Sequence, residues 1–166
     1  MHRKCFYSFH YQADNWRVAK IRNIGVILGN RAASDNDWEK IRSGGDQNIK
    51  RWIDNQLDGR SCTIVLAGTN TANRKWINYE IIRSWNRGMG VLVIYIHNIV
   101  DSYGNQCSKG ANPLFYITYG AENRRLSAIA KAYDPPKITS RGVYHYIEDN
   151  IQLWIEEAIR IRKLYP

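Results

Sequence analysis

The chain has 166 residues, 44% of them hydrophobic and 12% aromatic, which suits one domain with a buried core and excludes a disordered chain. No apolar run approaches the ~20 residues of a membrane-spanning helix. The start, MHRKCFYSFH, is basic but lacks the apolar stretch and small-residue cleavage site of a secretory signal. A cytoplasmic protein without membrane contact is therefore expected. The net charge of +9 raises nucleic acid as a partner, but the 24 basic residues are dispersed, and no nucleic-acid motif accompanies the densest run, RIRK at 160–163. The same positive field favours a small anionic ligand.

The first strand is expected at 4–11 (KCFYSFHY), aromatic and apolar. A helix follows over 13–23, with Asp14 as its cap and Trp16, Ala19 and Lys20 beginning its face. IGVILGN, 24–30, reads as a second strand, and 31–46 as a loop punctuated by Gly44-Gly45. Residues 46–58 form an amphipathic helix capped by Asp46, with Ile49, Trp52, Ile53 and Leu57 on one stripe. SCTIVLAG, 61–68, is a strand apolar enough to be buried on both faces. A helix over 72–87 ends at Gly88, and GVLVIYIHNI, 90–99, is the clearest strand. Residues 100–113 make a long polar loop, of the kind often tied to function. A fifth strand lies somewhere in 114–143, and 144–165 is a long helix with Ile147, Ile151, Trp154, Ala158 and Ile161 on one side.

Strands alternating with amphipathic helices give an α/β fold: a single three-layer domain over 1–166 around a parallel five-stranded sheet. Ligands bind such sheets beyond the carboxyl ends of the strands, here at His10-Tyr11, Gly68-Thr69 and His97-Asn98. Several α/β families fail at those ends. SFHYQAD carries no glycine for a dinucleotide fingerprint, and no P-loop or G-x-S-x-G elbow is present. A receiver domain needs an aspartate where Ala67, Gly68 and Thr69 stand. A flavodoxin needs a hydroxyl-rich loop where only Ser8 is available. Cys5, Cys62 and Cys107 are odd in number and lack C-x-x-C spacing, and no His/Asp/Glu cluster suggests metal. Cys5 and Cys62 read as buried inert thiols of a reducing compartment.

Four short motifs remain, in order: SFHY, RKWINYEI, IYIHNI and GANP. CFYSFHYQAD is similar to the first-strand box of TIR domains, and SCTIVLAGTNTANRKWINYEI to their later strand followed by a Trp and a glutamate. Together the motifs resemble the ThsB-type TIR-like family of the Thoeris anti-phage defence system, from residue 4 to about 115. The resemblance implies a flavodoxin-like sheet. It implies NAD+ as substrate rather than cofactor, cleaved at the nicotinamide–ribose bond. It also implies a cyclic ADP-ribose isomer that signals to a separate effector, and TIR-type contacts between copies. The essential glutamate of the family falls at Glu80, four residues after Trp76. Many TIR-like domains are non-catalytic interaction modules instead, and that alternative stays open.

The residues can be weighed beside the resemblance. Nicotinamide leaves NAD+ as a neutral molecule, so one carboxylate suffices where ordinary glycosidases need two. Glu80 would hold ribose hydroxyls and stabilise the oxocarbenium-like transition state. Arg74 and Lys75 are placed to keep it ionised or to bind pyrophosphate. The plain alternative is a solvated helix residue paired with Arg83. Ser8, Phe9, His10 and Tyr11 leave the first strand: Phe9 as core and Ser8 satisfying a backbone group, or the set lining a nucleotide pocket. Trp76 and Tyr79 are either buried or stacked on a base. His97 is expected to order the 97–113 loop, and Asn112-Pro113 to form a turn.

Overall fold

The computed structural model describes residues 2–25, 27–29 and 40–166. In chain order the elements are β1 (Arg3–Ser8), α1 (Tyr11–Arg22), β2 (Ile27–Gly29), α2 (Gly45–Leu57), β3 (Cys62–Ala67), α3 (Lys75–Asn86) and β4 (Gly90–Tyr95). A two-stranded antiparallel pair follows, β5 (Thr118–Tyr119) and β6 (Arg124–Arg125), then β7 (Ala132–Tyr133) and α4 (Ser140–Lys163). The five-stranded sheet is parallel throughout, in the order β2-β1-β3-β4-β7. This is the flavodoxin-like order, which reverses between β1 and β3.

Alternation along each strand divides the core between the two faces. Cys62, Ile64 and Leu66 of β3 join Leu92 and Ile94 of β4 against α1 and α4. Val65 and Ala67 join Val91, Val93 and Tyr95 against Ile77, Ile81 and Trp85 of α3. Phe6 packs with Ile49, Ile53 and Leu57 of α2. Every residue of β3 and β4 is buried, as continuous apolar runs predict.

Element ends differ from expectation where a local feature intervenes. Asn73 sits at φ 60, a left-handed conformation that delays α3 to Lys75. β4 stops at Tyr95, because Ile99 N–H turns back to Ile96 O. Residues 40–43 are already helical rather than loop; 30–39, the rest of that expected loop, lie outside the described residues. Asp46 is not a cap: Gly44 holds that position, and Asp46 lies in the first turn. Thr139 caps α4, its side chain accepting from Gly142 N–H at 3.0 Å, so the helix begins before 144. The fifth strand is only two residues long, Ala132–Tyr133, paired with Val93 and Ile94.

α1 departs most. Asp14 is not its cap but lies one turn inside, buried, with Arg17 Nη1 donating to its Oδ1 at 3.1 Å. The buried face is Asp14, Arg17, Val18 and Ile21, whereas Trp16 is 61% exposed. Arg17 also donates to Ile99 O at 2.7 Å and Asn105 O at 2.9 Å, and Lys20 to Val100 O at 3.1 Å. The polar loop after β4 is thus pinned by two cations of α1. His97 orders it through its backbone carbonyl, which accepts from Cys107 N–H at 2.9 Å. Asn112 forms the expected turn, its side chain accepting from Leu114 N–H.

α2 and α3 are joined by ion pairs of one sense: Asp46–Lys75, Asp54–Arg83 at 3.0 Å and Asp58–Arg87 at 3.4 Å, each spanning 29 residues of sequence. On the other face, α4 crosses the start of β4 so closely that a Cβ at Gly90 would lie 2.8 Å from Ile159 N and 2.9 Å from Ala158 C. Backbone cannot yield as a side chain can. Gly90→Ala is expected to lower stability by about 1–3 kcal/mol in urea melts. Gly25→Ala, where the Cβ meets nothing within 4 Å among the described residues, should stay within about 0.5 kcal/mol.

Candidate functional site

β2 pairs with β1 at Arg3–Cys5, while Phe6, Tyr7 and Ser8 are paired with β3 on the other side. A cleft of about 490 Å³ opens at this exit of β1, within the ~300–1,000 Å³ of small-molecule sites. Phe6, Tyr7, Phe9, His10, Tyr11 and Gln12 form one wall, and Asn73 to Ile77 with Glu80 form the other. Arg22, Arg42 and Trp52 complete the described lining. Phe6 and Tyr7 belong to opposite faces of the sheet, so the cleft wraps around the end of the strand.

Glu80 lies in the second turn of α3 and is 9% exposed. It does not pair with Arg83, which is bound to Asp54. Its Oε2 and the Oγ of Ser8 are both buried without a hydrogen-bond partner. Burial pushes the carboxyl up to about 8, and the Ser8 hydroxyl opposes that shift, although no well-aligned hydrogen bond joins the two side chains. Ser8 therefore does not serve a backbone group; its hydroxyl faces the acid. At neutral pH, burial therefore holds Glu80 mainly as the neutral acid.

His10 N-caps α1 through its backbone and lines the cleft, with Nδ1 buried and unpartnered. Burial and then Arg74 push its pKa down, and Asp14 opposes them, so the imidazole is neutral near pH 7. Phe9 and Tyr11 lie against each other at 6.3 Å, with Arg22 5.5 Å above the Phe9 ring. Trp76 is partly buried: it packs on the Phe6 cluster and also lines the cleft. Tyr79 faces elsewhere, its hydroxyl donating to Asp54 Oδ1 at 3.0 Å, and it is not among the described lining residues. Gly68 ends β3 where a Cβ would overlap the Asp14 carboxylate, which explains a glycine at that strand end. His97 lies on another part of the sheet edge, beside Tyr95 at 6.2 Å.

The structure adds Arg42, Trp52, Tyr7 and Arg22 to the site. Trp52 was visible only as a member of the apolar stripe of α2. Arg42 stands in a segment without periodicity, and nothing in its sequence neighbourhood distinguishes it from the other cations. Among the described residues no group of three or more His, Cys, Asp or Glu is placed to hold a metal ion. No described helix is long and apolar enough to cross a membrane.

Comparison with known proteins places this cleft inside a recognised unit. The model of the Thoeris protein ThsB, TIR-like domain, matches residues 6–101, which include the β1 exit, α3 and Glu80. A protein of Bacillus cereus (strain MSX-D12) carrying the name "Putative cyclic ADP-D-ribose synthase ThsB1" is 39% identical over 124 residues. That alignment covers 72% of this chain and 65% of the relative, so the chain matches just under two thirds of the relative's length.

The buried acid has a measurable cost. A carboxyl whose folded pKa lies above its unfolded value of 4.5 binds its proton more tightly when folded. Stability therefore falls as pH rises from that value to about 8. Glu80→Gln removes the effect. In urea melts it should gain on the wild type by about 1.4 kcal/mol per pH unit across that window, with a constant difference below it.

Proposed function

The chain belongs to the Thoeris ThsB TIR-like domain family, and on that premise we propose that it cleaves NAD+, releasing nicotinamide and closing the ADP-ribose part into a cyclic isomer that signals to a separate effector. One observation carries the reading: the family's glutamate position is a buried carboxyl without a cation partner, set in a cleft of dinucleotide scale. A solvated helix residue would show neither burial nor an orphaned oxygen.

The chemistry follows from that environment. The nicotinamide ring of NAD+ carries a positive charge. Brought beside Glu80, it favours the carboxylate, so binding drives off the proton that burial retains. The C1–N glycosidic bond then breaks with its electron pair going to nicotinamide, which departs neutral. Positive charge moves to the ribosyl carbon and ring oxygen, where the Glu80 carboxylate stabilises it in a dry site. A hydroxyl of the adenosine ribose bonds to that carbon. Its proton passes to Glu80, which again favours the neutral acid once the cation is gone. The proton returns to solvent when product leaves. The Ser8 hydroxyl steadies the carboxylate between these states, and Phe9, Tyr11 and Trp76 supply faces for the ring systems.

Two outcomes test this. Nicotinamide release, followed by liquid chromatography with and without lysate from phage-infected cells, should fall at least ~100-fold in Glu80→Gln. Undiminished release in that variant removes Glu80 from its role, and no release from the wild type even with lysate leaves the chain a binding module. Among the described residues, neutral His10 and the cations Arg22, Arg42, Arg74 and Lys75 line the cleft with the acid. Of the lining acids and bases, His10 titrates lower and Glu80 at about 8. The value of kcat/KM should therefore rise about tenfold per pH unit below that point and level off above it, while kcat stays nearly flat.

A further inference from the structure

We propose that Arg42 and Arg74 form a two-sided clamp for the diphosphate of a nucleotide, at the mouth of the cleft whose inner end holds Glu80. The proposal deepens the NAD+ reading by assigning the middle of the substrate to residues that no comparison assigns.

Among the described residues the cleft lining contains four cations and one acid, and burial favours the neutral form of that acid. The four cations are not equivalent. Lys75 is committed to Asp46 and lies 4.9 Å above the Trp76 ring. Arg22 is engaged by the Tyr7 and Phe9 rings at 5.3 and 5.5 Å. Arg42 and Arg74 are both exposed, and among the described residues neither makes an ion pair, a side-chain hydrogen bond or a ring contact. They approach from different elements, Arg42 from the helical turn before α2 and Arg74 from the residue that starts α3. Two uncommitted guanidinium forks lining one cleft match a dianion with oxygens on both sides.

A second feature points to the same ligand. α3 is twelve residues long, and no side chain caps its N-terminus. Its first-turn residues, Lys75, Trp76 and Ile77, line the cleft, which puts the positive end of the helix beside the same space that Arg42 and Arg74 line. The unpartnered Glu80 oxygen, buried in the same cleft one turn further along the helix, is the independent sign that the space is built for a ligand. A diphosphate at the mouth leaves one sugar to reach inward to Glu80 and Ser8, and the other to lie along Trp52 and Trp76.

Isothermal titration with ADP separates this from the catalytic reading, because ADP has no bond for the protein to cleave. ADP should bind wild type and Glu80→Gln alike, within about threefold. Arg42→Gln and Arg74→Gln should each weaken it about 10- to 100-fold, the loss of one charge-assisted contact. Arg124→Gln, an exposed cation on the β5–β6 pair, controls for net charge and should change ADP affinity less than threefold. With NAD+, the clamp variants should raise KM and leave kcat within a few-fold, and Arg74→Lys should recover part of the loss. Absent ADP binding, equal affinity in all variants, or an equal loss in Arg124→Gln overturns the clamp. Turnover that survives in Glu80→Gln overturns the proposed function instead, and the ADP result stands on its own.

Discussion

The constraint on which the site depends is a carboxyl group taken out of water without a cation to accompany it. Burying an ionised carboxylate alone is among the costliest things a fold can do, so the group keeps its proton. Everything around Glu80 maintains that condition. β3 and β4 bury both faces of the sheet beneath it, Ile77 and Ile81 hold its helix down, and Asp54 draws Arg83 away. Among the described residues no cation pairs with the acid, although Arg22, Arg42, Arg74 and Lys75 line the same cleft. On the proposed function, the nicotinamide cation supplies the missing charge.

Much of this architecture is legible in the sequence because it follows from periodicity. Two continuous apolar runs, 61–68 and 90–99, become the buried strands β3 and β4. Ile49, Ile53 and Leu57 become the buried stripe of α2, and Gly88, at φ 79, ends α3 as expected. The candidate acid was legible for a different reason. Glu80 follows a tryptophan by four residues on a helix after a buried strand, a pattern that a family shares. Its burial was not legible, since helical spacing from Arg83 equally allowed a surface ion pair.

The departures have one physical source: polar groups placed inside. α1 shows no apolar period because half of its buried face is the Asp14–Arg17 pair. A pattern that equates charge with solvent turns such a helix around and exposes the wrong side. The same holds for the loop after β4, which is ordered by guanidinium and ammonium contacts to backbone oxygens. The two-residue β7 escapes any strand pattern, and Arg42 reaches the cleft only through tertiary packing.

The ion pairs between α2 and α3 carry a mechanical consequence. A constant offset of 29 residues means that the two helices point the same way, as crossovers on one side of a parallel sheet must. Parallel neighbours set like poles side by side, an unfavourable arrangement that the rungs counteract. Every rung places its acid on α2 and its base on α3, so sliding by one turn opens several at once. Trp52 and Trp76 ride on these two helices. The spacing of these two tryptophans in the cleft lining is thereby gauged by a rack of surface charges, and added electrolyte would slacken both.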